Sequence, residues 1–596
     1  MRFLTFATLV TVLPGMGIAR LGLPGALPTQ VLASGVVWSS ACAWLVFRFD
    51  LPSLFWPLTL APCLLLLSRK APFEFDVLPG RGLVGLMVAV ASLALVMGAA
   101  RARFAGPLPD GSFALDWRGA PDDTFYASLA FEIARPGPDE VPQLGGIPLS
   151  YHTGGHLLRA AAFRFFDAQP LDSLAGGEGF FFGVLMIFLA RDIGRLLGRG
   201  PGLLFAAPLA PLLCDWMWAV ALVQDFEGWA DTPMGGNLLT SIAQANTSVS
   251  AMVIAFGALL SLRDPRPSRG SAAAGCLLLA ALPSFKFFTA LHAVAVLTLW
   301  TVARPTRARK IALGFLAAST LLMTRLDAAN RMRPEFEWAS SARSFAEFKM
   351  GWEFTLAVAV VWVILTLGLR LLGIPSAVRA LRSRSLPFAL WALLGWPVGM
   401  VVSLRPESRM GDETFNVAAF YFLEHSGWLL SLFALLLLSR ARRPAMVWAA
   451  CLLSVAPGVF EFAIRPTKDR MQIAGPATME AVRAVRDLTP ENAIVSLRYR
   501  HGFEGALVCA VSGRRITIAR FWPYLPQFAE VAEIERRIDA QRRFFTALNP
   551  QEASRAVAGL GATHLLVFTD DVLEFDPGRF LPLIYENSAA RLFKLP

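Results

Sequence analysis

Charge is what this sequence has little of. Only 17% of its 596 residues are Asp, Glu, Lys or Arg, against about 25% in an ordinary soluble protein. Hydrophobic residues make up 55%, and the mean hydropathy is +0.52. A soluble fold of this length could not hide that much apolar surface, so lipid must solvate much of it. Lysine is scarcer still. Of 55 basic residues only Lys70, Lys286, Lys310, Lys349, Lys468 and Lys594 are lysines. An arginine bias this strong reads as a GC-rich bacterial genome and leaves a single Arg with little meaning.

The six cysteines are Cys42, Cys63, Cys214, Cys276, Cys451 and Cys509. Their spacing excludes a zinc-finger pattern or a disulfide framework. There is no internal repeat and no low-complexity tract. That argues against transporters built from inverted repeats. The net charge of +11 sits largely in short loops between apolar runs. There it sets topology and does not point to nucleic acid.

What is present is a series of apolar runs of membrane-spanning length. They lie near residues 3–19, 29–47, 52–68, 83–100, 174–190, 201–222, 247–262, 286–303, 353–373, 386–404, 425–439 and 444–464. Two shorter runs, 271–283 and 311–324, fall below the length of a full span. The expected fold class is a polytopic α-helical membrane protein of about 12–14 transmembrane helices with a C-terminal soluble α/β domain. Residues 3–19 read as a retained helix, because no small-residue cleavage pattern follows. The expected division is a transmembrane domain over 1–464, with a long external loop over 101–173, and an external α/β domain over 465–596.

Basic clusters alternate with the runs: Arg191, Arg195 and Arg199; Arg263, Arg266 and Arg269; Arg304, Arg307, Arg309 and Lys310; Arg370, Arg379, Arg382 and Arg384; Arg440, Arg442 and Arg443. All fall on one side, which the positive-inside rule makes cytoplasmic. The acids and aromatics collect in the opposite loops, so the working face is external. Few ionisable residues are expected within the membrane. The tail reads as helices over 477–488, 529–546 and 551–560, and strands over 493–497, 515–518, 564–568 and 591–595.

Three local patterns carry chemistry. Asp122-Asp123 follow Pro121 at a helix start. Acids there cap a helix and suit its positive end. They could equally hold a divalent metal, or one could act as general base on a hydroxyl. Tyr151-His152-Thr153-Gly154-Gly155-His156 opens the next helix, with two His at i and i+4 on one face. Polar lining of a cavity, or interfacial packing, fits them better than a metal site. A metal-dependent envelope enzyme using both is the rival reading. Lys286 lies in Leu282-Pro283-Ser284-Phe285-Lys286-Phe287-Phe288, an external turn. Such a cation snorkels to headgroups or holds a lipid phosphate. Arg405 and Arg409 offer a second phosphate contact. Asp225, Glu227, Trp229 and Asp231 fall in another acidic external loop.

The whole architecture resembles the GT-C superfamily of integral membrane glycosyltransferases, which use polyprenyl-phosphate-linked sugars. The resemblance rests on the helix-rich core, the acidic pair in an early long external loop, a lone cation at a later external turn and an external tail. About four helices precede the acidic loop here. Asp122-Asp123 match the superfamily's acidic pair. The tail resembles those of bacterial members through Pro490-Glu491-Asn492-Ala493-Ile494-Val495, Ser512-Gly513-Arg514-Arg515 and Gly561-Ala562-Thr563-His564-Leu565-Leu566-Val567.

The resemblance implies transfer of a sugar from a polyprenyl-phosphate donor to a glycan, lipid or protein acceptor of the cell envelope. Asp122 or Asp123 would be the base, and Lys286 with Arg409 would bind phosphate. Asp225, Glu227, Asp231, Tyr151, His152, His156 and Trp229 would line the substrate site, with the tail as cap or acceptor platform. A bacterial inner membrane with a periplasmic tail is the expected location. The alternative is a non-catalytic transporter, flippase or envelope-assembly scaffold.

Overall fold

The computed structural model describes residues 1–20, 27–67, 80–116, 120–137, 139–198, 200–216, 238–243, 245–326, 332–336, 338–339, 342–343, 346, 353–406, 417–440, 445, 449–455, 471–499, 504–519 and 525–596. It is a helical, multi-pass membrane protein with a small α/β unit at its end. Four described helices are long and apolar enough to cross a membrane: Arg2–Arg20, Pro28–Arg48, Leu356–Ala380 and Tyr421–Leu438. Shorter apolar helices pack around them.

Helices α1 (Arg2–Arg20) and α2 (Pro28–Arg48) cross closely because glycine lets them. A Cβ on Gly15 would stand 2.2 Å from the Val31 carbonyl oxygen, and one on Gly35 1.8 Å from that of Thr11. Two expected long runs are broken by proline. Residues 52–67 form short helical turns that contain Pro52, Pro57 and Pro62. The helix from Pro201 tightens at Pro208 and Pro211 and stops at Leu212. Conversely, the two runs that looked too short are full helices, Arg269–Phe285 and Arg307–Leu326. Polar flanking residues extend them, and the Ser268 hydroxyl caps the first by accepting from the Ser271 N–H at 3.1 Å.

Charge is also less confined to loops than expected. Arg159, Glu178, Arg191, Asp192, Asp215, Arg309, Arg370, Glu424 and His425 are all buried. Arg309 donates to the Leu262 and Arg263 carbonyls and lies 4.0 Å from the Trp300 ring, so it caps a helix. Arg370 donates to the Leu213 and Thr366 carbonyls. Asp192 accepts from Thr29. Asp192 also pairs with Arg191, and three of the basic residues counted as loop charge belong to the core. Arg266, Arg269, Arg307, Lys310, Arg379, Arg382 and Arg384 are exposed.

After α3 (Gly80–Phe104), the chain forms β1 (Ala105–Pro107), β2 (Phe113–Asp116) and α4 (Ala120–Ile133). The tail reaches back to this region. Residues Met471–Ala474 pair antiparallel with β2, giving a three-stranded sheet. The tail's own five-stranded sheet mixes parallel pairs, such as Ile494–Ser496 with His564–Phe568, and antiparallel ones. Most expected tail elements are there: helices Pro476–Leu488, Val531–Thr546 and Pro550–Ala558, and strands at 494–496, 515–516, 564–568 and 590–594. Helix Glu504–Ser512 and strand Leu583–Glu586 were not expected.

Loop 139–147 is laced onto the tail. The Gly145 N–H donates to the Ile516 carbonyl and the Ile516 N–H to that of Pro142, both at 2.9 Å. Arg515 pairs with Glu132 at 2.6 Å and with Glu140 at 2.8 Å. Burial, then the Glu132 charge, pushes the half-buried Asp139 carboxyl up from its ordinary 3.8 to about 6. A raised carboxyl favours the neutral form in the fold. Its stabilising contribution is therefore full below pH 3.8 and is lost as pH rises towards 6. Asp139→Asn is expected to raise stability at pH 8 by at most about 3 kcal/mol and to change it little near pH 4. Thermal unfolding in detergent at the two pH values checks this.

Candidate active site

Asp122 and Asp123 lie in the first turn of α4, just after Pro121. They serve the helix's positive end, as a cap would. Asp123 is buried and Asp122 half-buried. Tyr126 stands one turn further on the face of Asp122.

The His pair is placed differently from the expectation. Residues 151–153 are not helical, Gly154–His156 form a single tight turn, and the regular helix α5 (Leu157–Phe166) follows. His152 and His156 therefore do not share a helix face. The two glycines serve close approach. A Cβ on Gly154 would meet the Ser284 backbone oxygen at 2.8 Å, and one on Gly155 the Thr247 Cγ2 at 2.4 Å. This seats the His loop on the turn that carries Lys286. Gly154→Ala is expected to cost about 1–3 kcal/mol by overpacking against backbone, read as a lowered melting temperature.

Lys286 joins α8 (Arg269–Phe285) to α9 (Phe287–Ala303) in extended conformation (with α6, Gly179–Leu197, and α7, Thr247–Ser261, before them). It is buried. Its Nζ donates to Asn246 Oδ1 at 3.4 Å and sits 4.1 Å from the Tyr421 ring centroid. Asn246 caps α7 by accepting from the Ser248 N–H, and its Nδ2 donates to the Tyr421 hydroxyl at 3.1 Å. One turn beyond Tyr421, Glu424 accepts from the Ser241 and Ser248 hydroxyls at 2.8 and 3.1 Å. The Lys286 charge is felt by Asp122 and Glu424. Among the described residues no carboxylate lies within ion-pair distance of it. An ammonium has three N–H donors, and one protein acceptor plus an aromatic face leaves capacity for an anionic oxygen.

Burial, reinforced by Lys286, holds His152 well below the usual histidine range. His152 stacks on Tyr151 at 3.9 Å. Tyr151 meets Phe125 at 5.5 Å, and Phe528 of the tail meets both. The tail thus supplies one wall. The structure brings Asp122, Asp123, Tyr151, His152, His156 and Lys286 into one region. Asp225, Glu227, Trp229, Asp231 and Arg409 lie outside the described residues. Among the described residues no three His, Cys, Asp or Glu gather as metal ligands. Asn246, Tyr421 and Glu424 were not anticipated. The signal for Glu424 was present, because Glu424-His425 open an apolar run and an acid there needs a partner.

No protein-family model matches the sequence, and no curated protein does. Among solved structures, it is similar to ArnT from Cupriavidus metallidurans bound to undecaprenyl phosphate, with TM-score 0.45 and 12% identity, covering 87% of this chain and 99% of that one. It is also similar to the Archaeoglobus fulgidus oligosaccharyltransferase in complex with an inhibitory peptide and a dolichol-phosphate, with TM-score 0.42 and 14% identity, covering 81% and 69%.

Proposed function

We propose that the protein is a GT-C-type membrane glycosyltransferase. It moves a sugar from a polyprenyl-phosphate donor to a cell-envelope acceptor at the outer face of a bacterial inner membrane. The observation that carries this is the buried Lys286 ammonium, held by Asn246 and the Tyr421 ring and coupled to Asp122 across the site. A cation at the lipid boundary suits a lipid-linked phosphate, and a carboxylate facing it suits a general base. Lys286 neutralises charge on the departing phosphate while Asp122 takes the acceptor's hydroxyl proton. Tyr151 and His152 line the sugar or acceptor site, and the sequence alone proposes Arg409 as a second phosphate contact and Asp225, Glu227, Trp229 and Asp231 as further substrate contacts. The tail walls the site on the periplasmic side.

The test is transfer of labelled sugar from a polyprenyl-phosphate sugar by purified protein in nanodiscs. Lys286→Met is expected to lower transfer about 100-fold or more. Undiminished transfer by that variant would sink the reading. The buried Glu424, His425, Arg370 and Asp215 favour a second reading as a transporter or flippase, since ionisable residues inside a membrane mark substrate pathways. Movement of a lipid phosphate across the bilayer without sugar transfer would decide for it.

A further inference from the structure

His156 is fully buried in the fold. Its Nδ1 lies 3.1 Å from Arg159 Nη1. A guanidinium has no acceptor and keeps its protons, so Arg159 donates and Nδ1 accepts. A neutral imidazole whose Nδ1 accepts must carry its hydrogen on Nε2. The tautomer follows from the partner's chemistry alone.

Arg159 is fixed in turn. Its Nε donates to Glu178 Oε2 at 2.6 Å, at the start of α6, and its Nη1 also donates to the Tyr126 carbonyl at 2.9 Å. Arg159 and Glu178 are both buried. The chain Glu178–Arg159–His156 therefore runs from α6 through α5 into the site. The ring of Tyr126 lies 5.0 Å from that of His156, and that of Tyr151 lies 5.9 Å away. Burial, then the charges of Arg159, His152 and Lys286, hold His156 well below the usual histidine range. Glu178 is spent on Arg159, and no carboxylate is among the groups whose charge His156 feels.

At the end of this chain, His156 Nε2 is buried with no hydrogen-bond partner among the described residues. An unpartnered buried N–H is costly unless a ligand completes it. The turn that carries it is packed by Gly154 against Ser284, two residues before Lys286.

We propose that His156 Nε2–H is a neutral, fixed donor to a phosphate oxygen of the lipid-linked donor, working beside Lys286, and that Arg159 and Glu178 are its positioning residues. This rests on the phosphate role given to Lys286. It assigns His156 a donating role and removes it as general base, because Nδ1 is occupied and Nε2 already bears hydrogen. A donor without net charge adds no long-range attraction for free anions. It contributes direction and selects an oxygen at one place.

Two measurements test it on the full chain in nanodiscs. The first is binding of farnesyl monophosphate, with inorganic phosphate as the headgroup-only probe. His156→Ala is expected to weaken farnesyl monophosphate about 10- to 100-fold. His156→Gln, whose amide N–H can stand near the Nε2 position, should recover most of that loss. Weakening by Lys286→Met with none by His156→Ala would overturn this inference and leave the proposed function standing. Unchanged binding in Lys286→Met would overturn the phosphate reading itself. The second is the 15N spectrum of histidine-labelled wild type, assigned by the signals absent in His156→Gln. It needs no destabilised variant. One Nε2–H tautomer from pH 5 to 9 is expected. A Nδ1–H tautomer, or protonation in that range, would overturn the proposal.

Discussion

Asp122→Asn is expected to lower kcat for sugar transfer about 10²- to 10⁴-fold, with little change in donor KM. The amide keeps the size of the side chain but cannot accept a proton. In the proposed reading Asp122 rather than Asp123 is the base, because Asp122 is the acid whose charge reaches Lys286 and Tyr421. Asp123 is buried in the first turn of α4. Asp123→Asn should act through stability and the position of α4, with a smaller loss in kcat. Initial rates at saturating donor distinguish the two. Full activity in both variants would remove the acid pair from the chemistry, while equal large losses would point to a shared role.

The second large effect is expected at a residue far from the reacting atoms. Arg515→Ala should cost about 3 kcal/mol and most of the transfer activity. Arg515 holds Glu132, which is 1% exposed, and also Glu140. Removing one partner of a buried ion pair leaves an uncompensated charge, worth about 3–5 kcal/mol. Arg135 also pairs with Glu132 at 2.7 Å and retains part of the compensation. Lysine should rescue poorly, because a guanidinium serves two carboxylates with several donors and an ammonium cannot match that fork. The tail also has two cores of its own residues, so it should stay folded while α4 and loop 139–147 loosen. A lowered first unfolding transition, with the tail's protease resistance kept, is the expected pattern. Unchanged activity would show that the tail does not hold the acidic helix in place.

The tail was the most legible part of the sequence. Its helices are soluble and amphipathic, so Val531–Thr546 announces itself by alternating Glu-Arg-Arg and Ile-Phe-Phe positions. The membrane part was legible in outline and less so in detail. An Arg near the end of an apolar run looks like loop charge whether it faces water, as Arg379 does, or a buried carbonyl, as Arg370 does. Both choices satisfy the same cost, and only packing decides between them. Lys286 and the acid pair stood out because such residues are rare in their surroundings. His152 and His156 were found for the wrong geometry. The i, i+4 spacing presumes a helix, and Gly154-Gly155 are there for contact with Ser284 and Thr247. Arg159 was invisible because Leu157-Leu158-Arg159-Ala160 reads as an ordinary interfacial turn. Its partner Glu178 is 19 residues away, in a separate helical segment.

The pairing of β2 with residues 471–474 bears on how the chain is made. Ala114 and Ile473 are neighbours in one sheet although about 360 residues separate them. A ribosome delivers the acidic helix early and its sheet partner very late. Throughout insertion of the intervening helices, the edge of β2 has no Met471–Ala474 strand to pair with. This sheet is therefore completed last, after the membrane core is threaded. A chain halted before residue 471 would be inserted but would lack the strand that closes this sheet.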